Sequence, residues 1–189
     1  GFSVDVKNMV TPLSSLWGVS MGDLAAVRMT DSDDYSVSSF SISRDGSWIG
    51  FAGGSPQRYE RNITQGRLYT DQYLLNVSSH AIERLTDNFE IGESLISFSP
   101  DSRWMAFSAP DDMSRYSMTE NRIYLREVDN RGGTFKKLGS AFDQSLRMGF
   151  WSDDSKTIYF NAGVRVTTQL HALDVQNDRV SQYVYQCGW

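Results

Sequence analysis

"FSISRDGSWIGFAGG", residues 40–54, reads as a short strand, an Asp-Gly turn and a second strand. The same pattern returns twice without gaps. "ISRDGSWIGF" (42–51), "FSPDSRWMAF" (98–107) and "WSDDSKTIYF" (151–160) align on Asp45, Asp101 and Asp154. Ser43, Ser99 and Ser152 each stand two residues before that aspartate, and Phe51, Phe107 and Phe160 close the three units. An internal repeat of this period determines the architecture, so it takes precedence over local propensity.

Each unit is predicted to be a hairpin. The aspartate accepts hydrogen bonds from backbone N–H groups in its loop, and Gly46 adopts a positive φ without a Cβ clash. Ser102 and Ser155 occupy the glycine's place in the second and third copies, which predicts some backbone strain there. After the turn, "SWIGFAGG", "RWMAFSAP" and "KTIYFNAG" carry apolar residues at both alternating positions. A strand of that kind is covered on both faces.

Two further strands complete each period. "DQYLLNV" (71–77), "RIYLREV" (122–128) and "QLHALDV" (169–175) supply a third, and "AIERLTD" (81–87), "TFKKLGS" (134–140) and "RVSQYVY" (179–185) a fourth. Four strands in roughly 50 residues, repeated, with covered inner strands, are the signature of a β-propeller. The expected blades span 39–87, 95–140 and 148–185. Upstream, "LAAVRMTD" (24–31) aligns with "HAIERLTD" (80–87), and "SSLWGVS" (14–20) falls where a third strand belongs. Residues 14–31 are therefore expected to form the outer half of a blade. The fold class is all-β: a partial propeller of about three and a half four-stranded antiparallel blades, the whole chain forming one propeller unit.

Such an arc leaves strand edges and a blade face in need of cover, so a fragment of a longer propeller is expected, with a homo-oligomer that completes the ring as the alternative, and the isolated chain is expected to self-associate. Phe150, Trp151, Ile158 and Phe160 lie in the last blade, and some of them are expected to contribute to the uncovered face. Composition excludes several functions. A net charge of -5 provides no basic stripe for nucleic acid. No run approaches the ~20 apolar residues of a membrane span, and "GFSVDVKNMV" lacks the pattern of a signal peptide. One cysteine, Cys187, rules out an internal disulfide. With only His80 and His171 besides, soft ligands are too few for zinc, and no metal or other cofactor is expected.

"SRDGSWIGF" and "SPDSRWMAF" resemble the SPDG-type blade repeats of the propeller domain of the prolyl oligopeptidase family of serine peptidases, and those of Tol-associated periplasmic propellers. The resemblance covers roughly residues 14–185. The long connections "GSPQRYERNITQGRLYT" (54–70) and "PDDMSRYSMTE" (110–120) favour the peptidase side, because Tol-type blades are more compact. That resemblance implies a non-catalytic propeller that gates or positions peptide for a separate α/β-hydrolase domain, in a bacterial periplasm or cytoplasm, the periplasm preferred. The alternative it implies is a protein-interaction module. No G-x-S-x-G nucleophile elbow occurs, since "GESLI" and "GGSPQ" do not fit, so no catalytic residue is assigned to this chain. A glycosidase or lyase would need paired carboxylates converging on the channel, and few acidic residues fall near first-strand ends.

The candidate peptide contacts are Arg58, Tyr59, Glu60 and Arg61 in "RYERN". Arginine pairs bidentately with a carboxylate, and Glu60 would suit an amine; a surface loop with local ion pairs is the plainer reading. "DSDDYS" (31–36) clusters carboxylates without the Gly and distal Glu of a calcium loop, and Asp111 and Asp112 likewise read as loop residues. Asn62-Ile-Thr64 and Asn76-Val-Ser78 match the glycosylation sequon, which has meaning only in a eukaryotic secreted chain. His171 is expected to be packed in its strand, and Trp48 and Trp104, which recur at one repeat position, to serve blade packing.

Overall fold

The computed structural model describes residues 13–30, 34–54, 70–87, 92–112, 119–164 and 167–183. Arg58, Tyr59, Glu60, Arg61, Cys187 and the Asn62 sequon lie outside them, as do Asp31 and Asp33.

Trp17–Val19 (β1) and Ala26–Arg28 (β2) form a two-stranded antiparallel sheet. Ser36–Ile42 (β3), Trp48–Gly54 (β4), Thr70–Asn76 (β5) and Ile82–Arg84 (β6) pair in chain order as the first complete blade. Ser97–Phe98 (β7), Trp104–Pro110 (β8), Asn121–Glu127 (β9) and Lys136–Leu138 (β10) form the second. Phe150–Trp151 (β11), Thr157–Val164 (β12), Thr167–Asp174 (β13) and Arg179–Gln182 (β14) form the third. All pairings are antiparallel, and the chain is an all-β, partial propeller.

The repeated motif is one hydrogen-bonded turn made three times. Ser43 Oγ donates to Asp45 Oδ1 (2.6 Å) and accepts from the Trp48 N–H (3.0 Å), while Asp45 Oδ1 accepts from the Ser47 N–H (3.1 Å). Ser99 and Asp101 repeat the arrangement with Trp104 and Arg103, and Ser152 and Asp154 with Thr157 and Lys156. The residue after each aspartate is left-handed: Gly46 at φ 73, Ser102 at φ 59 and Ser155 at φ 62. The strain expected at the two serines is therefore present.

The outer turns of the two-stranded sheet and of the first complete blade share their geometry. Leu24 and His80, matched by sequence, sit at φ 58 and φ 57 in their turns. Thr30 Oγ1 accepts the Leu16 N–H (2.9 Å) just as Thr86 Oγ1 accepts the Gln72 N–H (2.8 Å). Asn76 caps its own turn by accepting from the N–H groups of Ser78 and Ser79.

Sheet alternation sends side chains from one blade into two different cores. Tyr73 and Leu75 pack with Leu16, Tyr35 and Phe51, toward the half-blade. Leu74, between them, packs instead with Ile96, Met105, Phe107 and Tyr124 of the second blade. Ala106, Ile123 and Leu125 turn the other way, onto Ile158, Phe160 and Leu173 of the third. Trp48 and Trp104 lean on the core of the following blade, so both tryptophans do belong to blade packing. His171 is buried, stacked on Phe160 with ring centroids 5.6 Å apart, and its Nδ1 faces the Gln169 carbonyl oxygen.

The leading end of the arc shows what is uncovered. Phe40 and Ile42, on the innermost strand of the first blade, are 54% and 56% exposed. They pair with Phe51 and Ile49, whose side chains enter the core shared with the half-blade. The described half-blade has only its outer two strands, so nothing there covers the inner position. At the other end the expectation holds for one of the four residues. Trp151, Ile158 and Phe160 are buried against the second blade, and only Phe150, at 59%, is exposed.

Candidate functional site

The three Ser–Asp turns join first to second strands and lie along one rim. The connections from second to third strand leave and return at the far ends of seven-residue strands, at Gly54↔Thr70 and Pro110↔Asn121, and of eight-residue strands, at Val164↔Thr167, in the third blade. Strands of this length carry the chain ~20 Å, so the ends of those connections lie at the opposite rim, together with the links from fourth strand to next blade. The candidate residues Arg58, Tyr59, Glu60 and Arg61 fall in sequence between Gly54 and Thr70, outside the described residues.

Several described polar groups at this rim are engaged with one another. Arg84 pairs with Asp71 on the neighbouring strand and with Asp87 at 2.8 Å. Thr86 Oγ1 donates to Glu93 Oε2 at 2.8 Å, tying the end of the first blade to the link that follows. Lys137 Nζ lies 2.6 Å from Asp111 Oδ1, so Asp111 is half of a cross-strand ion pair. The Asp112 N–H donates to Thr119 Oγ1 across the base of the second connection. Arg122, buried, donates to the carbonyls of Asn121 and Gln144, both at 2.9 Å. Tyr124 donates its hydroxyl to the Pro110 carbonyl at 2.8 Å, and burial, then the Asp111 carboxylate, pushes the phenol up to about 12. It is a fixed neutral donor and no base at ordinary pH.

This is the chemistry of a platform. Asp71, Asp87 and Asp111 are paired with cations, the Tyr124 hydroxyl is held by a carbonyl, and Arg122 holds loop backbone. Among the described residues no group of three His, Cys, Asp or Glu side chains converges to hold a metal ion. The two histidines stand apart from this rim chemistry: His171 is packed between aromatic rings, and His80 sits in an outer turn of the opposite rim.

Two sets of contacts between blades escaped the sequence. Arg126 and Glu83 form a buried pair between blades although 43 residues separate them, and no local pattern marks such a pair. The hydroxyls of Ser102 and Ser155 accept hydrogen bonds from the Asp45 and Asp101 N–H groups of the preceding blade, at 3.1 and 3.0 Å. A signal for these did exist: serine recurs in two repeats at a position where backbone strain favours glycine.

No protein-family model and no curated protein sequence matches the chain. Solved structures do. TolB from Acinetobacter baumannii is similar over 89% of this chain and 37% of its own, with 17% identity and a TM-score of 0.58. Porphyromonas gingivalis dipeptidyl peptidase 4 is similar over 89% and 28%, with 11% identity and a TM-score of 0.64. An oligogalacturonate lyase solved in complex with manganese is similar over 89% and 47%, with 11% identity and a TM-score of 0.67. At these identities the likeness establishes the propeller fold, and the chain spans less than half the length of each of the three.

Proposed function

We propose that this chain is the non-catalytic propeller portion of a prolyl-oligopeptidase-type serine peptidase, which gates or positions peptide for an α/β-hydrolase domain. The observation that supports it best is the asymmetry of the two rims. One carries tight Ser–Asp turns; the other carries two long connections, 54–70 and 110–120, based on strands whose own charges are already paired. In this reading Arg58 and Arg61 pair with a carboxylate of the peptide and Glu60 with its amine, with Tyr59 in the same segment. The dipeptidyl peptidase likeness agrees with this reading.

A second reading has its own support: TolB shares more identity, 17% against 11%, and would make the chain a protein-interaction module that hydrolyses nothing. The full polypeptide that carries this chain decides between them. The first reading expects labelling by a fluorophosphonate probe at a serine outside residues 1–189, and turnover of dipeptidyl or aminoacyl p-nitroanilides. Glu60→Gln should then raise KM for substrates with a free amine and leave kcat close to its original value. A polypeptide that is neither labelled nor active overturns the first reading. A labelled serine within residues 1–189 overturns both.

A further inference from the structure

Among the described residues, β1, β2, β3, β6, β7, β10, β11 and β14 each end a sheet. Seven of these strands are two to four residues long, whereas β3 has seven. A short edge keeps a sheet from pairing with other chains, and a charge or a proline serves where the edge is long. β3 has neither of those: Ser36-Val37-Ser38-Ser39-Phe40-Ser41-Ile42 is neutral throughout. It is also the innermost strand of its blade, so its free edge faces the propeller axis.

Register fixes which backbone groups lie on that edge. The Ser43 N–H donates to the Trp48 carbonyl, toward β4. Alternation turns Ser41 and Ser39 the same way, and turns the N–H and C=O groups of Phe40 and Ile42 outward. Beyond the irregularity between Val37 and Ser39, the Val37 N–H meets the Ser14 carbonyl at 2.9 Å. The Ser14 N–H in turn donates to Ser36 Oγ at 3.1 Å. One end of β3 therefore already holds a stretch of backbone from outside its own sheet. Among the described residues none accepts from the N–H groups of Phe40 and Ile42.

The side chains beside these groups narrow the occupant. Phe40 and Ile42 are 54% and 56% exposed and lie on one face, while Ser39 and Ser41 alternate with them on the other. Ser41 Oγ is already spent on the Ile96 carbonyl, at 2.6 Å. A strand added at this edge sets every second side chain beside Phe40 and Ile42, and those between beside serine. We propose that the free edge of β3 binds an extended peptide segment of a partner by strand addition, one whose apolar side chains alternate with small hydroxyl ones. The outward backbone groups of Phe40 and Ile42 supply the pairing, and their exposed side chains select the residues opposite. With no charge on the strand, recognition rests on main chain and apolar contact and calls for neither a terminal amine nor a carboxylate. The inference goes beyond the proposed function and holds for either reading of it, since it needs only this edge.

The probe is a capped peptide of alternating valine and threonine, as long as β3, added to the full chain while amide exchange is followed by NMR. In the chain alone, the Phe40 and Ile42 amides should exchange faster than those of Phe51 and Leu75, on the interior strands of the same blade. Saturating peptide should slow Phe40 and Ile42 about tenfold, the worth of one well-formed hydrogen bond. Phe51 and Leu75 should not change, which reports in the same sample that the blade stays folded. N-methylation of the valines, whose N–H groups face Phe40 and Ile42 in this pairing, should abolish the slowing, and N-methylation of the threonines should leave it. No slowing by the unmodified peptide, or equal slowing by the valine-methylated one, would overturn the inference. So would Phe40 and Ile42 amides as slow as Phe51 without peptide. The edge would then belong to another segment of the chain or, if the protection grows with protein concentration, to a second copy.

Discussion

Arg126 and Glu83 face each other across two blades as a bidentate ion pair, Nη1 to Oε1 at 2.8 Å and Nη2 to Oε2 at 3.0 Å. Arg126 belongs to the second blade and Glu83 to the outer strand of the first. The guanidinium is 3% exposed and lies over the Phe135 ring at 5.0 Å. It also donates to the Gly133 carbonyl, and the Gly132 N–H donates to Glu83, so the pair binds an outer turn as well. Burial raises the Glu83 pKa, but the Arg126 and Gly132 hydrogen bonds outweigh it and leave the carboxyl below its usual range.

Removing only the acid should therefore be costly. Glu83→Ala leaves a guanidinium buried without its counter-ion and is expected to destabilise by about 3 kcal/mol. Glu83→Leu with Arg126→Met should recover most of that loss, because no desolvated charge remains. Urea unfolding of the single and double variants measures both, and a strictly additive pair of losses would contradict the coupling.

The turn serines balance strain against a hydrogen bond. Ser102→Ala and Ser155→Ala keep the left-handed backbone and lose the inter-blade contact, so each should cost about 1 kcal/mol. Ser→Gly at the same places loses the contact but relieves the strain, and should come out near neutral. Gly46→Ser introduces the strain with no described hydroxyl acceptor role to fill, and should destabilise by about 1 kcal/mol. Thermal unfolding of the set checks the ordering.

Gly50 has no room for a side chain. Gly50→Ala would drive a methyl into Ile96, a contact between blades, and is expected to cost about 1–3 kcal/mol. Pairing it with Ile96→Val should restore part of the loss, which unfolding of the double variant would show.

Leu24 offers the opposite case. It is 73% exposed and held at φ 58 in the turn between β1 and β2, so Leu24→Gly removes strain and no buried contact. The variant should melt higher, by the equivalent of about 0.5–1 kcal/mol. A lower melting temperature would mean that Leu24 packs against something in solution.

Acid should loosen the Ser–Asp turns together. The Ser43 hydroxyl and then the Ser47 N–H hold Asp45 down to about 2, from 3.8. Asp154 is lowered by Ser152 and the Lys156 N–H; at Asp101 burial opposes the shift, but Ser99 and Arg103 prevail. A depressed folded pKa gives stability that is complete above the unfolded value and lost as pH falls through the folded one. Stability should hold down to about pH 5 and decline between about pH 4 and pH 2. The gap in urea midpoint between the natural chain and Asp45→Asn should close over that same window. A gap independent of pH would show that the carboxylate charge is not what the turn uses.

Much of the fold was legible because the repeat encodes it locally. Ser43, Asp45 and Trp48 make their contacts within five residues of one another, so the motif and its hydrogen bonds are one object. The half-blade was legible for the same reason, through Thr30 and Thr86. The direction each side chain takes was not. Ile158 and Phe160 carry no mark in sequence that sends them to the second blade while Phe150 and Tyr159 face outward, because both faces of an inner strand are apolar.

The sequence by itself determined the hairpins, their order and the number of strands, since backbone hydrogen bonds and turn chemistry depend on near neighbours. Only the tertiary structure decided which blade meets which side chain. Glu83 reaches Arg126, and Asp101 reaches the Ser155 hydroxyl, because stacking brings different repeats within hydrogen-bonding distance. The physical reason is that sheet alternation divides each strand between two cores, and the stacking of whole blades then fixes what each half encounters.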